Sequence, residues 1–245
     1  MNLCGLAAEA AEFQEDKSGF RVIKREISGV GITDVRITPQ AERRFGRAAG
    51  RYITLEGDPA SEAMAGILRR AVEQVIPARG RIFAAGLGNP DITQDSFGAL
   101  SVRGIAAGKG RRYSLAAIET DVAARTGITA AKLIRAAARE LRADCIIAVD
   151  ALACDDPRRI GRTIQISDTG LVPGSGMAAD SEEICAQTAG VPVAAIGVPT
   201  VVRLSSITSR RADGKYMVTA ADIDAVVRLW ADAVSAALNS LRFHG

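Results

Sequence analysis

Cys145-Ile146-Ile147-Ala148-Val149-Asp150 (CIIAVD) decides how the rest of the chain is read. Five apolar residues run without a polar break, and an acid follows at once. An unbroken apolar run of this length is the mark of a strand buried on both faces of a parallel sheet. Just upstream, Thr129 can cap a helix in which Leu133, Ile134, Ala137 and Leu141 share a face. Further upstream, Arg81–Ala85 (RIFAA) is a second short apolar strand, and it runs into Gly86-Leu87-Gly88-Asn89. Before it, Ser61 is a candidate cap for a helix through Met64, Leu68, Val72 and Val75, closed by Pro77 and Gly80.

Downstream, Arg162–Ser167 (RTIQIS) alternates and reads as an edge or antiparallel strand, and Pro192–Val198 (PVAAIGV) as another buried strand. Thr219 and Asp222 have capping-box spacing before a long amphipathic helix through Ile223, Val227, Trp230, Val234 and Leu238. Near the start, Val30–Thr38 and Arg51–Glu56 alternate as a hairpin or an edge pair. Strands alternating with helices predict an α/β fold with a mainly parallel sheet and helices on both sides. The chain reads as one domain over 1–245, with the strands of 1–58 packed on it.

Composition narrows the chemistry. The chain has 245 residues, 48% of them hydrophobic and 24% charged, an ordinary globular balance. A net charge of +3 gives little pull on a polyanion, so direct nucleic-acid binding is not expected. No apolar stretch is long enough to span a membrane, and no leader is evident, so the cytoplasm is the expected compartment. Cys4, Cys145, Cys154 and Cys185 lack metal-ligand spacing, so neither metal nor cofactor is expected. The one histidine, His244, is next to last, which argues against Ser-His-Asp and Cys-His mechanisms.

Ligands of parallel sheets bind at the carboxyl ends of the strands. Two acids fall there, Asp95 in the loop after Arg81–Ala85 and Asp150 directly after the CIIAV strand. A carboxylate pair can hydrolyse an amide without histidine, because like charges held close share one proton and supply both a base and an acid. Either residue alone could equally be a helix cap or a solvated loop acid, and Asp91 is a third candidate in the same loop. Asp168-Thr169-Gly170 has the look of a pepsin-type catalytic triplet, but that fold is all-β, and the same triplet suits a tight turn. Asn89, Asp168, Gly174 and Ser175 lie in these two loops and are candidate substrate contacts. The GLG at Gly86–Gly88 lacks the full dinucleotide fingerprint.

Four ordered blocks carry a resemblance: GLGNPDITQDSFGAL (86–100), IIAVDALA (146–153), TIQISDTGLVPGSG (163–176) and GVPVAAIGVPTVVRLSSIT (190–208), with a weaker match at RYITLEGDP (51–59). In these blocks the sequence resembles the germination proteases of bacterial spores, endopeptidases that degrade small acid-soluble spore proteins. The resemblance implies an α/β/α sandwich of the phosphorylase/hydrolase type, shared with the hydrogenase maturation peptidases. It implies an aspartic mechanism with Asp95 and Asp150 as the acids, action in the spore core, and a homo-oligomer, a tetramer in the family, made as a zymogen. Three departures stand out: the chain is short, the stretch between Leu100 and Thr129 is compressed and basic, and little precedes Leu6-Ala7-Ala8-Glu9, which resembles a mature start. Two rival readings are a metal-dependent processing peptidase of the hydrogenase maturation kind and a protein-binding module without activity.

Overall fold

The computed structural model describes residues 6–12, 14, 18–174, 182–208 and 216–243. Its strands are β1 (Phe20–Ile27), β2 (Val30–Ile37), β3 (Gly50–Glu56), β4 (Gly80–Gly86), β5 (Tyr113–Glu119), β6 (Cys145–Cys154), β7 (Thr163–Ser167), β8 (Val193–Arg203) and β9 (Met217–Val218). They form one sheet in the order β1-β2-β3-β7-β8-β6-β4-β5, with β9 paired to β8. The run β8-β6-β4-β5 is parallel throughout. The run β1-β2-β3-β7-β8 is antiparallel. The sheet is therefore mixed, and its parallel half holds the CIIAV strand at its centre. The N-terminal strands are members of the sheet itself.

The helices are α1 (Ala7–Glu12), α2 (Glu42–Phe45), α3 (Glu62–Glu73), α4 (Phe97–Arg103), α5 (Ala123–Thr126), α6 (Ala130–Glu140), α7 (Ala186–Ala189), α8 (Leu204–Ile207) and α9 (Ile223–Ser240). Alternation along each strand sends its side chains to two separate cores. Ile82 and Ala84 of β4, with Cys145, Ile147 and Val149 of β6, pack against α3, α4 and α9. Phe83, Ala85, Ile146 and Ala148 face α6 on the other side. Val35, Ile37 and Tyr52 at the antiparallel end are covered by α1 and Phe45 of α2. The result is an α/β/α sandwich. Trp230, fully buried, fixes α9 by donating from Nε1 to the Gly161 carbonyl at 2.7 Å.

Some elements differ from their sequence reading in instructive ways. β7 is antiparallel as its alternation suggested, yet it lies inside the sheet. Its polar residues are buried because each finds a partner, as when Gln165 Oε1 accepts from the Ala7 amide at 2.7 Å. Thr129 caps α6, accepting from the Lys132 amide, but the buried face of that helix centres on Ala131, Ile134 and Ala138. Ser61 stands at the N-cap of α3 without making a side-chain cap bond. Thr219 does not cap α9; its hydroxyl instead donates to the Thr200 carbonyl at 2.7 Å.

The N-terminal helix is locked in by a buried acid. Glu9 is 3% exposed, and its carboxylate accepts from the amides of Leu6 (2.9 Å), Asp155 (3.2 Å) and Asp156 (3.0 Å). The last two lie in the turn that follows β6. Glu9→Ala strips all three amides of their acceptor, and leaving buried donors unpaired costs about 1–3 kcal/mol each at most. A loss of about 3 kcal/mol in urea unfolding is expected, with Glu9→Gln milder. An unchanged urea midpoint in Glu9→Ala would show that the contact contributes nothing.

Candidate active site

The loop after β4 is built around Asp95. Asn89 opens an Asx turn, its Oδ1 accepting from the Asp91 amide at 2.9 Å. The Asp95 amide donates to the Ile92 carbonyl at 2.8 Å and closes a short 3-10 turn over Thr93–Asp95. The Asn89 amide then donates to Asp95 Oδ2 at 2.6 Å, so the carboxylate is fixed by its own loop. Gly88 is required here: its φ is +93°, and a Cβ would lie 2.0 Å from the Asp95 carbonyl oxygen. The second glycine of the GLG thus lets the backbone pass close to Asp95 itself.

Asp150 lies within β6, beyond the last residue that β4 pairs with, Val149. It is 4% exposed. One oxygen accepts from the Ala151 amide at 2.9 Å, and the Gly174 amide also donates to the carboxylate. Burial raises its pKa, the Asp95 charge raises it further, and the two amides only partly oppose this, leaving it at about 7. The pKa of Asp95 is also raised, chiefly by burial, with the Asn89 amide pulling it down and Asp121 pushing it up. The two acids thus sense one another across the ends of neighbouring strands.

A cleft of about 220 Å³ opens beside them, lined by Ile92, Gln94, Asp95, Ala151–Ala153, Gly174, Thr200 and Met217 among others. A second cavity of about 170 Å³ shares Leu152 and Ala153 with it and continues to Tyr52, Gln165, Ser167 and Thr169.

Other sequence candidates fall as follows. Asn89 serves Asp95 through its backbone, while its side chain also accepts from Arg125 at 3.0 Å. Gly174 both donates to Asp150 and lines the cleft. Asp91 is exposed and pairs with Arg125 at 2.6 Å, which removes it from the pair. Asp168 is exposed and accepts from the Arg51 amide at 2.7 Å, tying the end of β7 to β3. Because β7 runs against β8, its end points away from the edge where Asp150 sits. Ser175 and His244 lie outside the described residues. Among the described residues, no group of three or more His, Cys, Asp or Glu side chains is arranged to hold a metal ion. No helix among them is long and apolar enough to cross a membrane.

The sequence model of the family described as germination protease matches residues 5–221. The chain belongs to the germination protease family. Germination proteases similar to it include those of Bacillus cytotoxicus, 35% identical over 85% of this chain and 65% of the relative. That of Priestia megaterium is 34% identical over 82% and 60% respectively. That of Halalkalibacterium halodurans is 32% identical over 84% and 62%. The chain thus spans about three-fifths of the length of the curated relatives it matches. Among solved structures, a NiFe hydrogenase maturation protease from Thermococcus kodakarensis aligns with a TM-score of 0.41 and 16% identity, over 69% of this chain and 98% of its own.

Proposed function

We propose that this chain is an aspartic-type endopeptidase that cuts small acid-soluble, DNA-protecting spore proteins during germination, with Asp95 and Asp150 as its acid–base pair. The observation that carries the reading is Asp150, a buried carboxyl beside a second carboxyl with its pKa raised to about 7. In this reading the proton resides on Asp150, the more buried member, and Asp95 is ionised. Asp95 takes a proton from water as the water oxygen bonds to the scissile carbonyl carbon. Asp150 gives its proton to the carbonyl oxygen. When the tetrahedral adduct collapses, the amide nitrogen leaves with a proton and the pair is left with one proton again. The two amides on Asp150 and the one on Asp95 hold both carboxyl groups in place throughout. The same reading places the enzyme in the spore core as a homo-oligomer whose partner is protein, with no direct contact to nucleic acid.

The test is incubation with a purified small acid-soluble spore protein and mass spectrometry of the products. Discrete fragments are expected. Substrate that is retained but never cut would favour a binding module instead. The pH dependence follows from the shared proton. Below the lower apparent pKa both acids are protonated and no base remains; above the upper one both are ionised and no acid remains. A bell-shaped kcat profile is expected, its alkaline limb falling near pH 7, where Asp150 loses its proton. A rate still rising through pH 8–9 would contradict the shared-proton mechanism.

A further inference from the structure

We infer that Thr200 is a positioning residue for Asp95, holding the acid's turn against the sheet through its hydroxyl. The inference rests on the reading of Asp95 as a reacting group. β6 and β8 pair residue for residue up to Leu152 opposite Pro199, and then Ala153 faces Val201. Thr200 is the residue left over. It is a β-bulge, and a bulge next to a site re-aims a side chain that regular pairing would send elsewhere. Here the redirected hydroxyl donates to the Gln94 carbonyl at 2.6 Å. Gln94 immediately precedes Asp95 in the 3-10 turn.

The turn needs such a tie. The hydrogen bonds of Asp95 itself, to the Ile92 carbonyl and from the Asn89 amide, are internal to its own loop. They fix the shape of the loop and leave its seat on the sheet to other contacts. Thr200 supplies one from the strand next to β6, so the carboxylate of Asp95 is referenced to the strand that carries Asp150. Thr200 is 1% exposed, and it is held in turn by Thr219, whose hydroxyl donates to the Thr200 carbonyl at 2.7 Å. A relay thus runs from the end of β9 through the bulge to the turn of Asp95.

The test compares Thr200→Val, Thr200→Ser, Thr219→Val and Asp95→Asn with the unaltered chain, following cleavage of a purified small acid-soluble spore protein. Thr200→Val keeps the shape and removes the hydroxyl. It is expected to lower kcat about 10- to 100-fold, since a misplacement on the order of 1 Å costs that much, with KM within about twofold. Thr200→Ser is expected to restore kcat to within about threefold, because the hydroxyl returns. Wild-type kcat in Thr200→Val overturns the inference. So does a rise in KM alone, which would make Thr200 a substrate contact, or a Thr200→Ser enzyme as slow as Thr200→Val. If Thr200→Val does not fold, Thr219→Val carries the test: a several-fold loss of kcat is expected, and wild-type kcat overturns the relay. Asp95→Asn separates the two levels. Full activity there removes the reading of Asp95 itself, whereas an inactive Asp95→Asn beside a fully active Thr200→Val removes the role of Thr200 alone.

Discussion

Asp150→Asn is expected to lower cleavage by at least about a thousandfold, the upper range for one acid–base group, while the protein stays folded. Asparagine keeps the shape, and its Oδ1 can still accept from the Ala151 amide, so the strand end need not move. What it removes is the proton that the carbonyl oxygen must receive. Asp95→Asn removes the base and should cost a similar factor. The double substitution should be little worse than either single one, because groups that act as a unit do not add. Stability should change in the opposite sense. Folded Asp150 keeps its proton up to about pH 7, against 3.8 for an ordinary aspartate carboxyl. The folded state therefore binds the extra proton between those limits, and stability falls as pH rises through that window. Above it, the native chain holds a buried charge that Asp150→Asn does not. The variant should melt on the order of 5 °C higher than the parent at pH 8, and the gain should vanish near pH 4. A variant that retains a tenth of the activity, or one less stable at pH 8, would contradict the assignment.

Much of this site was legible in the sequence because its parts are local. CIIAV has no polar break, so its place inside a parallel sheet follows from composition alone, and Asp150 follows from being next to it. The loop 86–95 carries two glycines and two acids at a strand end, which is what made it a candidate. Choosing between Asp91 and Asp95 needed tertiary partners: Arg125 reaches Asp91 from the far side of β5, some thirty positions along. The DTG triplet illustrates the converse. Its acid is satisfied by a backbone amide 117 positions away, a partner no local pattern contains. Helix α4 was missed because Phe97–Arg103 spans only seven residues and has a glycine, Gly98, in its first turn. It is held by its contacts rather than by propensity. β5 was hidden by a basic lead-in, and β1 by the charges Arg21, Lys24, Arg25 and Glu26 on an edge strand, where charge guards against aggregation. Thr219 and Thr200 read as a cap and an unremarkable strand residue. Their roles come from a bulge, and a one-residue slip between strands leaves no periodic trace.

Gly98→Ala should reduce stability and activity together. Gly98 is the second residue of α4, and a Cβ there would lie 2.2 Å from the Val149 carbonyl oxygen and 2.5 Å from both the amide nitrogen and carbonyl oxygen of Leu87. These are backbone atoms that cannot rotate away. They are also bonded to one another, since the Leu87 amide donates to that Val149 oxygen at 2.8 Å. The contact is reciprocal: a Cβ on Gly86 would meet the Gly98 carbonyl oxygen at 2.1 Å. The start of α4 thus sits directly on the seam between β4 and β6. A methyl group must push helix and seam apart by on the order of 1 Å, and overpacking of that kind costs about 1–3 kcal/mol or more. The displacement has a direction. Asp95 lies three residues before Gly98, and Asp150 lies one residue after Val149, so the wedge opens between the two acids. A displacement of about 1 Å between reacting groups is worth roughly a hundredfold in rate, so kcat should fall by at least that factor in whatever fraction remains folded. Gly66→Ala is the matched control. Gly66 is inside α3, and the nearest atom to an added Cβ is the far end of Arg70, 4.0 Å away. There the methyl group should raise stability by about 0.5–1 kcal/mol through helix propensity and leave kcat alone. Thermal melts and rates on the two variants side by side separate the effect of a methyl group from the effect of its position. If Gly98→Ala melts and turns over like Gly66→Ala, the seam does not hold the two acids in register.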